Sequence, residues 1–260
     1  MPEGPSLYIL KELVADFTGQ DIVHAGGNVR AIDPARLVGQ RILAIHTWGK
    51  HLLIEMPDLV LRVHFLLFGT YRINERREGK TPRLSIETAN GNELNIYASA
   101  VREIDRATYE AYDFSADVMS DAWNPRKALK KLRARPDMLA CDALLDQDIF
   151  SGVGNIIKNE VLFRIRVHPL SPIGALPPRK LRELVADVRR YSFEFLQYKR
   201  EGTLKAHWLA HGRDICPRCN IPFSKAKALG RSKRRAFFCQ RCQKRYGEGD
   251  DAHAEKPIQV

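Results

Sequence analysis

The sequence predicts an α+β multidomain fold, and three features in chain order support this prediction. Apolar and polar residues alternate over residues 40–103, which is typical of β-strands. Residues 125–200 instead repeat apolar side chains at helical spacing. Two Cys-x-x-Cys pairs follow within residues 211–245. We therefore expect a β-rich N-terminal domain, a helical domain and a cysteine-bearing C-terminal segment.

The N-terminal domain is expected to begin with one capping helix. This helix follows Pro5, and its apolar stripe consists of Leu7, Leu10, Leu13, Val14 and Phe17. Strands at 41–46 and 51–55 flank a hairpin turn at Trp48-Gly49-Lys50. A second hairpin is centred on Asn90-Gly91, and its alternating positions are Leu84, Ile86, Thr88, Leu94 and Ile96. Asn-Gly favours a two-residue turn because both central positions need positive φ.

The middle of the chain is predicted to be helical after a polar linker at 113–124. Helices are expected from Pro125, over 138–145, over 155–165 and after Pro177-Pro178. The buried stripe of the last helix consists of Leu181, Leu184, Val185, Val188 and Phe195. We place the domains at residues 1–113, 125–210 and 211–245, with a disordered tail at 246–260.

The net charge of +11 is concentrated near the C-terminus of the sequence. Residues 211–245 contain eleven Lys or Arg and one acid, Asp214. A charge excess confined to one segment indicates an anionic partner, and nucleic acid is the usual one. A basic tail that only aids solubility is the alternative.

Neither a membrane span nor a secretory signal is expected. No apolar run reaches the roughly 18 residues that a transmembrane helix needs. The start Met-Pro-Glu-Gly-Pro has no basic flank and no apolar core. We therefore expect a soluble, cytoplasmic protein.

Four of the five cysteines form the pairs Cys216-x-x-Cys219 and Cys239-x-x-Cys242, with nineteen residues between them. This spacing is typical of one zinc ion bound by four thiolates, and a reducing compartment favours metal over disulfides. Four cysteines complete a tetrahedron and leave no position for water, so the zinc is expected to be structural. Cys141 is interpreted as a small buried apolar residue.

Pro2 is a candidate nucleophile. Once Met1 is removed, its nitrogen is a secondary α-amine, and α-amino groups have a pKa of about 7.7–8 against about 10.4 for lysine. Such an amine is partly neutral at physiological pH and can attack a sugar C1′ to form an iminium. Glu3 would lie within reach as a proton donor. The alternative is a start sequence that merely precedes a helix.

A glycine-rich turn at 147–155 is a candidate phosphate-binding site. Its glycines, Gly152 and Gly154, let the backbone approach a ligand closely, and the following helix start directs N–H groups at an anion. A DNA phosphate fits this site, and Asn155 adds a side-chain donor. The alternative is a turn between helices with Asn155 as the N-cap.

Two further segments are candidates for contacts with DNA. Leu66, Leu67 and Phe68 could fill the hole left by a nucleotide flipped out of a duplex, and a core segment is the alternative. A hairpin around the zinc could direct basic side chains at DNA, and a purely structural zinc ribbon is the alternative. These side chains are Arg231, Lys233, Arg234 and Arg235.

Together these motifs resemble one family, the bacterial formamidopyrimidine-DNA glycosylases and endonuclease VIII proteins. The matching elements occur in the family's order: Pro2-Glu3, Gly49-Lys50, the Gly-Val-Gly-Asn-Ile turn and the four-cysteine finger. The resemblance extends from Met1 to Cys242. It implies an N-terminal β-sandwich, a helix-two-turns-helix domain and a zinc-finger β-hairpin that bind damaged double-stranded DNA.

The resemblance also implies a role for each matching residue. Pro2 is implied to be the Schiff-base nucleophile, and Glu3 the acid that assists base loss and ring opening. Lys50 is implied to contact the phosphate beside the lesion and to assist catalysis. Asn155 and Arg234 are implied to bind phosphates flanking the flipped nucleotide. The implied reaction is cleavage of the glycosidic bond followed by β- and δ-elimination.

Within the family the sequence is more similar to endonuclease VIII, which acts on oxidised pyrimidines. Residues 97–102 stand where the guanine-specific branch carries Asp-Pro-Arg-Arg-Phe-Gly, and Leu66-Leu67-Phe68 resembles the single-loop wedge of endonuclease VIII. Ser6 departs from both branches, in which glutamate is usual.

We predict a monomeric DNA glycosylase with lyase activity, and three alternatives stay open. A non-catalytic relative could bind damage without cutting, although the presence of Pro2, Glu3 and Lys50 argues against it. A glycosylase for guanine lesions is the second. A zinc-ribbon protein of transcription or translation would account for the charge but not for the N-terminal chemistry.

Overall fold

The computed structural model describes residues 2–247 and divides into two compact units. Unit 1 comprises Met1–Asn124, Asp146–Gly154 and Arg189–His207. Unit 2 comprises Pro125–Leu145, Asn155–Val188 and Trp208–Val260. Each unit is therefore assembled from segments that are distant in the sequence.

Unit 1 is built on two four-stranded antiparallel sheets. The first has the order β1-β6-β7-β5, with the strands Ile22–Gly26, Leu84–Thr88, Glu93–Tyr97 and Thr70–Ile73. The second has the order β2-β3-β4-β8, with the strands Ala44–Trp48, His51–Glu55, Val60–His64 and Ala100–Ile104. Alternate side chains of both sheets enter one core, among them Leu52, Leu61, Ile86 and Leu94. The predicted β-sandwich is confirmed.

The capping helix α1 spans Gly4–Leu13. Leu7 and Leu10 are buried in the core of the sandwich, as the apolar stripe predicts. Leu13, placed on the same stripe, is 54% exposed, so that assignment is wrong. The helix ends at Leu13. Val14 and Phe17 of the same stripe are buried as predicted, and Phe17 lies in a short 3-10 helix at Ala15–Phe17.

Both hairpin turns differ in detail from their predictions. Trp48 belongs to β2 and pairs with His51, so the first turn has only two central residues, Gly49 and Lys50. Gly49 has φ +57°, the sign that a type II′ turn needs at this position. The predicted two-residue turn at Asn90-Gly91 is wrong. The Gly91 N–H donates to the Thr88 carbonyl, and only the glycine has positive φ, which makes a three-residue turn with a bulge.

The predicted polar linker at 113–124 is in fact packed into unit 1. Residues 116–119 are buried, and Val118 donates its N–H to the carbonyl of Ser151 at 3.1 Å. Ser151 in turn donates to the carbonyl of Ala116 at 2.8 Å. The linker assignment is wrong because its polar backbone groups pair with the glycine turn rather than with water. A short helix α2, Arg106–Glu110, precedes this segment.

Unit 2 is helical and ends in a β-hairpin. Its helices are α3 Pro125–Arg133, α4 Ala140–Ala143, α5 Asn155–Arg164 and the first part of α6 Pro178–Arg200. Strands β9 Ser224–Leu229 and β10 Arg234–Phe238 form the antiparallel hairpin. The stripe of α6 is buried as predicted. The helix predicted over 138–145 is shorter, because the N–H groups of Ala140 and Cys141 donate to the carbonyls of Ser171 and Pro169.

The C-terminal segment is described only as far as residue 247. Of the predicted tail, residues 248–260 lie outside the described residues. Tyr246 donates its N–H to the Ser171 hydroxyl at 3.1 Å. Among residues 2–247, no helix has both the length and the apolar character that crossing a membrane requires.

Removing a core leucine tests the importance of the sandwich core. Leu61 lies in β4 and is fully buried, so Leu61→Ala is expected to lower the free energy of unfolding by about 2–5 kcal/mol. Leu43 is 47% exposed and serves as the matched control, for which about 0.5 kcal/mol is expected. Urea denaturation followed by circular dichroism measures both. Equal losses for the two variants would contradict the assigned core.

Candidate functional site

The N-terminal residues are held against the glycine turn within unit 1. Pro2 is half-buried and precedes α1, and Glu3 is extended and only 3% exposed. The Glu3 Oε2 accepts the N–H of Gly154 at 3.0 Å. Gly4 donates its N–H to the carbonyl of Gly152 at 2.8 Å. The predicted nucleophile is therefore next to a carboxylate whose position is fixed by the turn.

Glycines allow three backbone segments to meet at this point. A Cβ atom on Gly154 would lie 2.4 Å from the Glu3 Cδ. A Cβ atom on Gly49 would lie 2.1 Å from the Ser151 Oγ. Both distances are far inside van der Waals contact, so a Cβ atom would displace the side chain of Glu3 or of Ser151. A Cβ atom on Gly4 would also lie 3.0 Å from the backbone Cα of Gly152. The N-terminus, the β2–β3 hairpin and the glycine turn thus pack at distances that only glycine permits.

Asp117 fixes the hairpin turn, and the sequence analysis missed it. Its Oδ2 accepts the N–H of Gly49 at 2.9 Å, and its Oδ1 accepts that of Met119, also at 2.9 Å. Burial raises the pKa of Asp117 from 3.8 to about 6, although both amide donors favour the ionised form. This buried carboxylate positions the turn that carries Lys50. An acidic residue before an apolar pair, Val118-Met119, was the only signal in the sequence.

Gln147 is a second residue that the sequence analysis passed over. Its side-chain carbonyl accepts the N–H of Gly152 at 3.1 Å, and its amide donates to the carbonyl of Val153 at 3.2 Å. One side chain therefore spans the glycine turn and bonds to its backbone on both sides. Such clamping holds the glycines in place despite their conformational freedom.

The outer face of the second sheet forms a cation-lined cavity of about 280 Å³. Its residues pair across neighbouring strands: His51 with His64, and Arg62 with Arg102. Neither arginine forms an ion pair within residues 2–247. Burial, followed by the charges of His64, Arg62 and Lys50, lowers the pKa of His51 to about 4, so His51 is neutral at pH 7. Two arginines placed directly opposite each other destabilise a sheet unless an anion neutralises them.

The apolar loop after β4 projects into solvent. Leu66, Leu67 and Phe68 are 46%, 51% and 79% exposed, which excludes the alternative of a core segment for these three residues. Phe65 is buried and accepts the Gly69 N–H at 2.7 Å, closing the loop at its base. An exposed apolar tip on a closed loop is suited to insertion into an apolar or stacked partner.

Helix α5 connects the other predicted phosphate ligands inside unit 2. Asn155 is its first residue, and its Oδ1 accepts from the Nζ of Lys158 at 2.9 Å. The same Nζ donates to the carbonyl of Arg235 in β10, again at 2.9 Å. Asn159, next in the helix, accepts the N–H of Phe237 at 3.2 Å. Two adjacent helix residues therefore bind β10, the strand that carries Arg234.

Buried carboxylates position the segments around this hairpin. Glu160 is fully buried and accepts the N–H groups of Leu209, Ala210 and His211 at 2.7–2.9 Å. Asp142 accepts the N–H groups of Arg231 and Ser232 at 2.9 and 3.0 Å, in the β9–β10 turn. Both residues satisfy several backbone donors at once, which stabilises irregular chain segments.

The four predicted cysteines meet in unit 2. Their Sγ atoms all lie within 4.8 Å of one another, and those of Cys216 and Cys242 are 3.8 Å apart. Four Zn–S bonds of about 2.3 Å in a tetrahedron separate the sulfurs by about 3.8 Å. The cluster therefore has the dimensions of a structural zinc site. Cys141 lies apart, and burial raises the pKa of its thiol to about 11.

Two domain families match this chain. Residues 1–100 match the formamidopyrimidine-DNA glycosylase N-terminal domain. Residues 115–202 match the formamidopyrimidine-DNA glycosylase H2TH domain, which is the helix-two-turns-helix domain. The second match begins at residue 115, inside the segment that the sequence analysis interpreted as a polar linker.

Individual relatives and one solved structure agree with these matches. Endonuclease 8-like 3 of Xenopus laevis is 30% identical over 82% of this chain, which spans only 36% of that relative's length. The probable endonuclease 8 2 of Streptomyces coelicolor is 26% identical over 94% of both chains. The Lactococcus lactis formamidopyrimidine-DNA glycosylase, solved on DNA with an abasic site, has a TM-score of 0.81. It is 22% identical and covers 94% of this chain and 100% of its own, which establishes the shared fold.

The raised pKa of Asp117 predicts a measurable pH dependence of stability. Asp117 takes up a proton near pH 6 in the folded protein but near pH 3.8 in the unfolded chain. Its contribution to the free energy of unfolding therefore rises by about 1.4 kcal/mol as pH falls from 7 to 5. Asp117→Asn is expected to remove this increase.

Urea denaturation at pH 7, 6 and 5 measures the effect as the difference between wild type and variant. Asp16→Asn, at an exposed position of unit 1, is the matched control and is expected to leave the pH dependence unchanged. A difference between wild type and Asp117→Asn that stays constant with pH would contradict the assignment.

Proposed function

This chain belongs to the formamidopyrimidine-DNA glycosylase and endonuclease VIII family of base-excision repair, and we propose that it is a bifunctional glycosylase and lyase. It would remove oxidised bases, preferentially pyrimidines, and then cleave the strand. The observation that carries the proposal is the arrangement in unit 1, where Pro2-Glu3 is held against the glycine turn and the hairpin turn. A monomeric state and a cytoplasmic location stay predictions.

The reaction begins at the nitrogen of Pro2 once Met1 has been removed. Its lone pair attacks C1′ of the damaged nucleotide, and the N-glycosidic bond breaks as the base leaves with a proton. Opening of the sugar ring then gives an iminium between the Pro2 nitrogen and C1′. Loss of the C2′ proton breaks the bond to the 3′ phosphate, and a second elimination releases the 5′ phosphate.

Glu3 is suited to supply the proton for ring opening. It follows the nucleophile directly, and its bond to the Gly154 N–H keeps the carboxyl group in one place. A donor that is fixed before the substrate binds needs little reorganisation in the transition state. The requirement for glycine at 154 thus follows from the placement of Glu3.

Lys50 and the cation-lined cavity support binding of the phosphate backbone by unit 1. Lys50 lies in the hairpin turn that Asp117 holds, and its charge lowers the pKa of both His51 and His64. Arg62 and Arg102 extend the same positive field along the sheet. Phosphates passing this face would neutralise arginines that have no carboxylate partner in residues 2–247.

In unit 2, Asn155 and Arg234 would bind phosphates, and the four cysteines would hold zinc. Bound zinc would stabilise the fold of the finger rather than take part in the reaction, because four thiolates fill its coordination sphere. The ion would link the segment 216–219, before β9, to the segment 239–242, after β10. Arg234, in β10, would thereby be held on a rigid hairpin.

The preference for oxidised pyrimidines is supported by the loops around the apolar tip. Only two residues, Ala98 and Ser99, connect β7 to β8, so no second projecting loop is formed there. Leu66, Leu67 and Phe68, exposed together on one loop, are then suited to fill the space of a flipped nucleotide. A single wedge of this kind is the pattern that the sequence shares with endonuclease VIII.

Borohydride trapping tests the proposed nucleophile. The protein without Met1, mixed with a duplex containing an abasic site, is expected to form a stable covalent adduct, because borohydride reduces the iminium to an amine. Pro2→Gly keeps an α-amine but loses the ring that orients it, and a fall of at least about tenfold in adduct is expected. An N-terminal extension moves the amine away and is expected to abolish the adduct.

Intact-mass measurement first establishes that Met1 is absent. A processed protein that binds the duplex but gives no adduct would support the non-catalytic alternative and refute the proposal. Cleavage of duplexes carrying thymine glycol or 8-oxoguanine then separates the pyrimidine preference from the guanine-lesion alternative.

The salt dependence of DNA binding tests the cation-lined cavity. Arg102→Gln is expected to lower the slope of log K against log salt by about one, since each phosphate contact releases about one counterion. Arg76→Gln changes the net charge equally but removes an arginine that is paired with Glu93, so its slope should stay near that of wild type. Identical slopes for the two variants would exclude a phosphate contact at Arg102.

A further inference from the structure

Lys158 is a buried cation that links the candidate phosphate ligand Asn155 to β10, the strand that carries Arg234. Its side chain is 1% exposed. Its ammonium donates to the Asn155 side chain and to the Arg235 backbone, both at 2.9 Å. Burying an ammonium group carries a large desolvation penalty, whereas a methionine of similar volume would pack without it. The charge therefore calls for an explanation other than packing.

The chemistry of an ammonium group determines how Asn155 is oriented. Ammonium carries three donors and no acceptor, so the Asn155 amide must present its oxygen to Lys158. The amide nitrogen then faces the opposite way, with two N–H donors. Asn155 is half-buried, and this nitrogen donates to no group within residues 2–247. A donor-only surface at the start of a helix is complementary to a phosphate.

We infer that Lys158 is a positioning residue, which orients the Asn155 amide and ties it to β10 so that Asn155 and Arg234 present donors as one phosphate-binding surface. This inference rests on the proposed function, in which both residues bind a nucleic-acid backbone. Without Lys158 the amide can rotate and expose its oxygen, which repels phosphate. Lys158 itself does not touch the DNA, so its effect depends on Asn155.

The neighbouring contacts of α5 support this assignment. Asn159 donates to the backbone carbonyl of Asn155 at 2.8 Å and accepts the N–H of Phe237 at 3.2 Å. The backbone position of Asn155 and the register of β10 are therefore already set by Asn159. What Lys158 adds is the orientation of the Asn155 side chain and a second bond to β10.

A double-mutant cycle tests the inference through the dissociation constant for a duplex with a stable abasic-site analogue. Asn155→Ala and Lys158→Met are each expected to weaken binding about tenfold, the value of one charge-assisted hydrogen bond. The double variant is expected to lose about tenfold as well, because the two changes remove the same contact. Lys158→Arg, which keeps the donors, is expected to restore most of the binding.

Lys180→Met is the matched control, since Lys180 is a part-buried lysine of unit 2 that donates to the carbonyl of Ile165 at 2.8 Å. Combined with Asn155→Ala, it should leave the full tenfold effect of Asn155→Ala in place. Zinc content and thermal melting of each variant report on folding.

An additive loss of about a hundredfold in the Lys158→Met, Asn155→Ala variant would overturn the inference, as would an unchanged affinity for Lys158→Met. Borohydride trapping with saturating wild-type protein distinguishes these outcomes from failure of the proposed function. If trapping succeeds and the cycle is additive, only the role of Lys158 is refuted. If wild type neither binds nor traps, the proposed function falls as well, and the inference with it.

Discussion

Unit 1 depends on the contact between three backbones that leave no space for a side chain. A Cβ atom on Gly4 would lie 3.0 Å from the Cα of Gly152, and a Cβ atom on Gly49 would lie 3.0 Å from the backbone nitrogen of Gly152. Because the backbones meet directly, amide groups rather than side chains hold the N-terminal residues. The position of Pro2 is thus set by the sandwich and the glycine turn together. A nucleophile on an otherwise mobile chain end can in this way be held as firmly as one on a strand.

Buried polar side chains fix the positions of irregular backbone segments, which apolar packing alone does not fix. Asp117 in unit 1 and Glu160 in unit 2 each accept several backbone N–H groups from segments without regular structure. An apolar residue at either position would leave those donors unsatisfied, at a cost of about 1–3 kcal/mol each. Lys158 has the same positioning role as a donor, since its ammonium donates to the Asn155 side-chain oxygen and to the Arg235 carbonyl. Catalytic and binding residues are then held by neighbours that do not themselves react.

Local patterns predicted the elements whose burial follows from their own spacing. The alternation at Leu84 and Ile86 and the stripe of α6 are buried as expected, because one face of a strand or helix must enter a core. Predictions failed where the chain bends. Leu13 is exposed because it lies about 120° around the helix from Leu7, whereas Val14 is buried. The turn at Asn90-Gly91 has three residues because only Gly91 takes positive φ. The turn is also bonded to distant residues, since Ala89 donates its N–H to the Asp21 carbonyl and the Asn90 amide donates to the Asp16 carbonyl. Periodicity does not encode such contacts.

The sequence by itself determined the chemistry that is available: an N-terminal proline beside a glutamate, four cysteines at zinc spacing, and a basic C-terminal segment. These features are covalent or local, so they can be identified without coordinates. Only the tertiary structure decided which other residues hold these groups in position. Asp117 lies 68 positions from the turn that it holds, and Lys158 lies 77 positions from the strand carbonyl that it bonds. Contacts over such separations exist only once the chain has folded, since folding alone brings the partners within hydrogen-bonding distance.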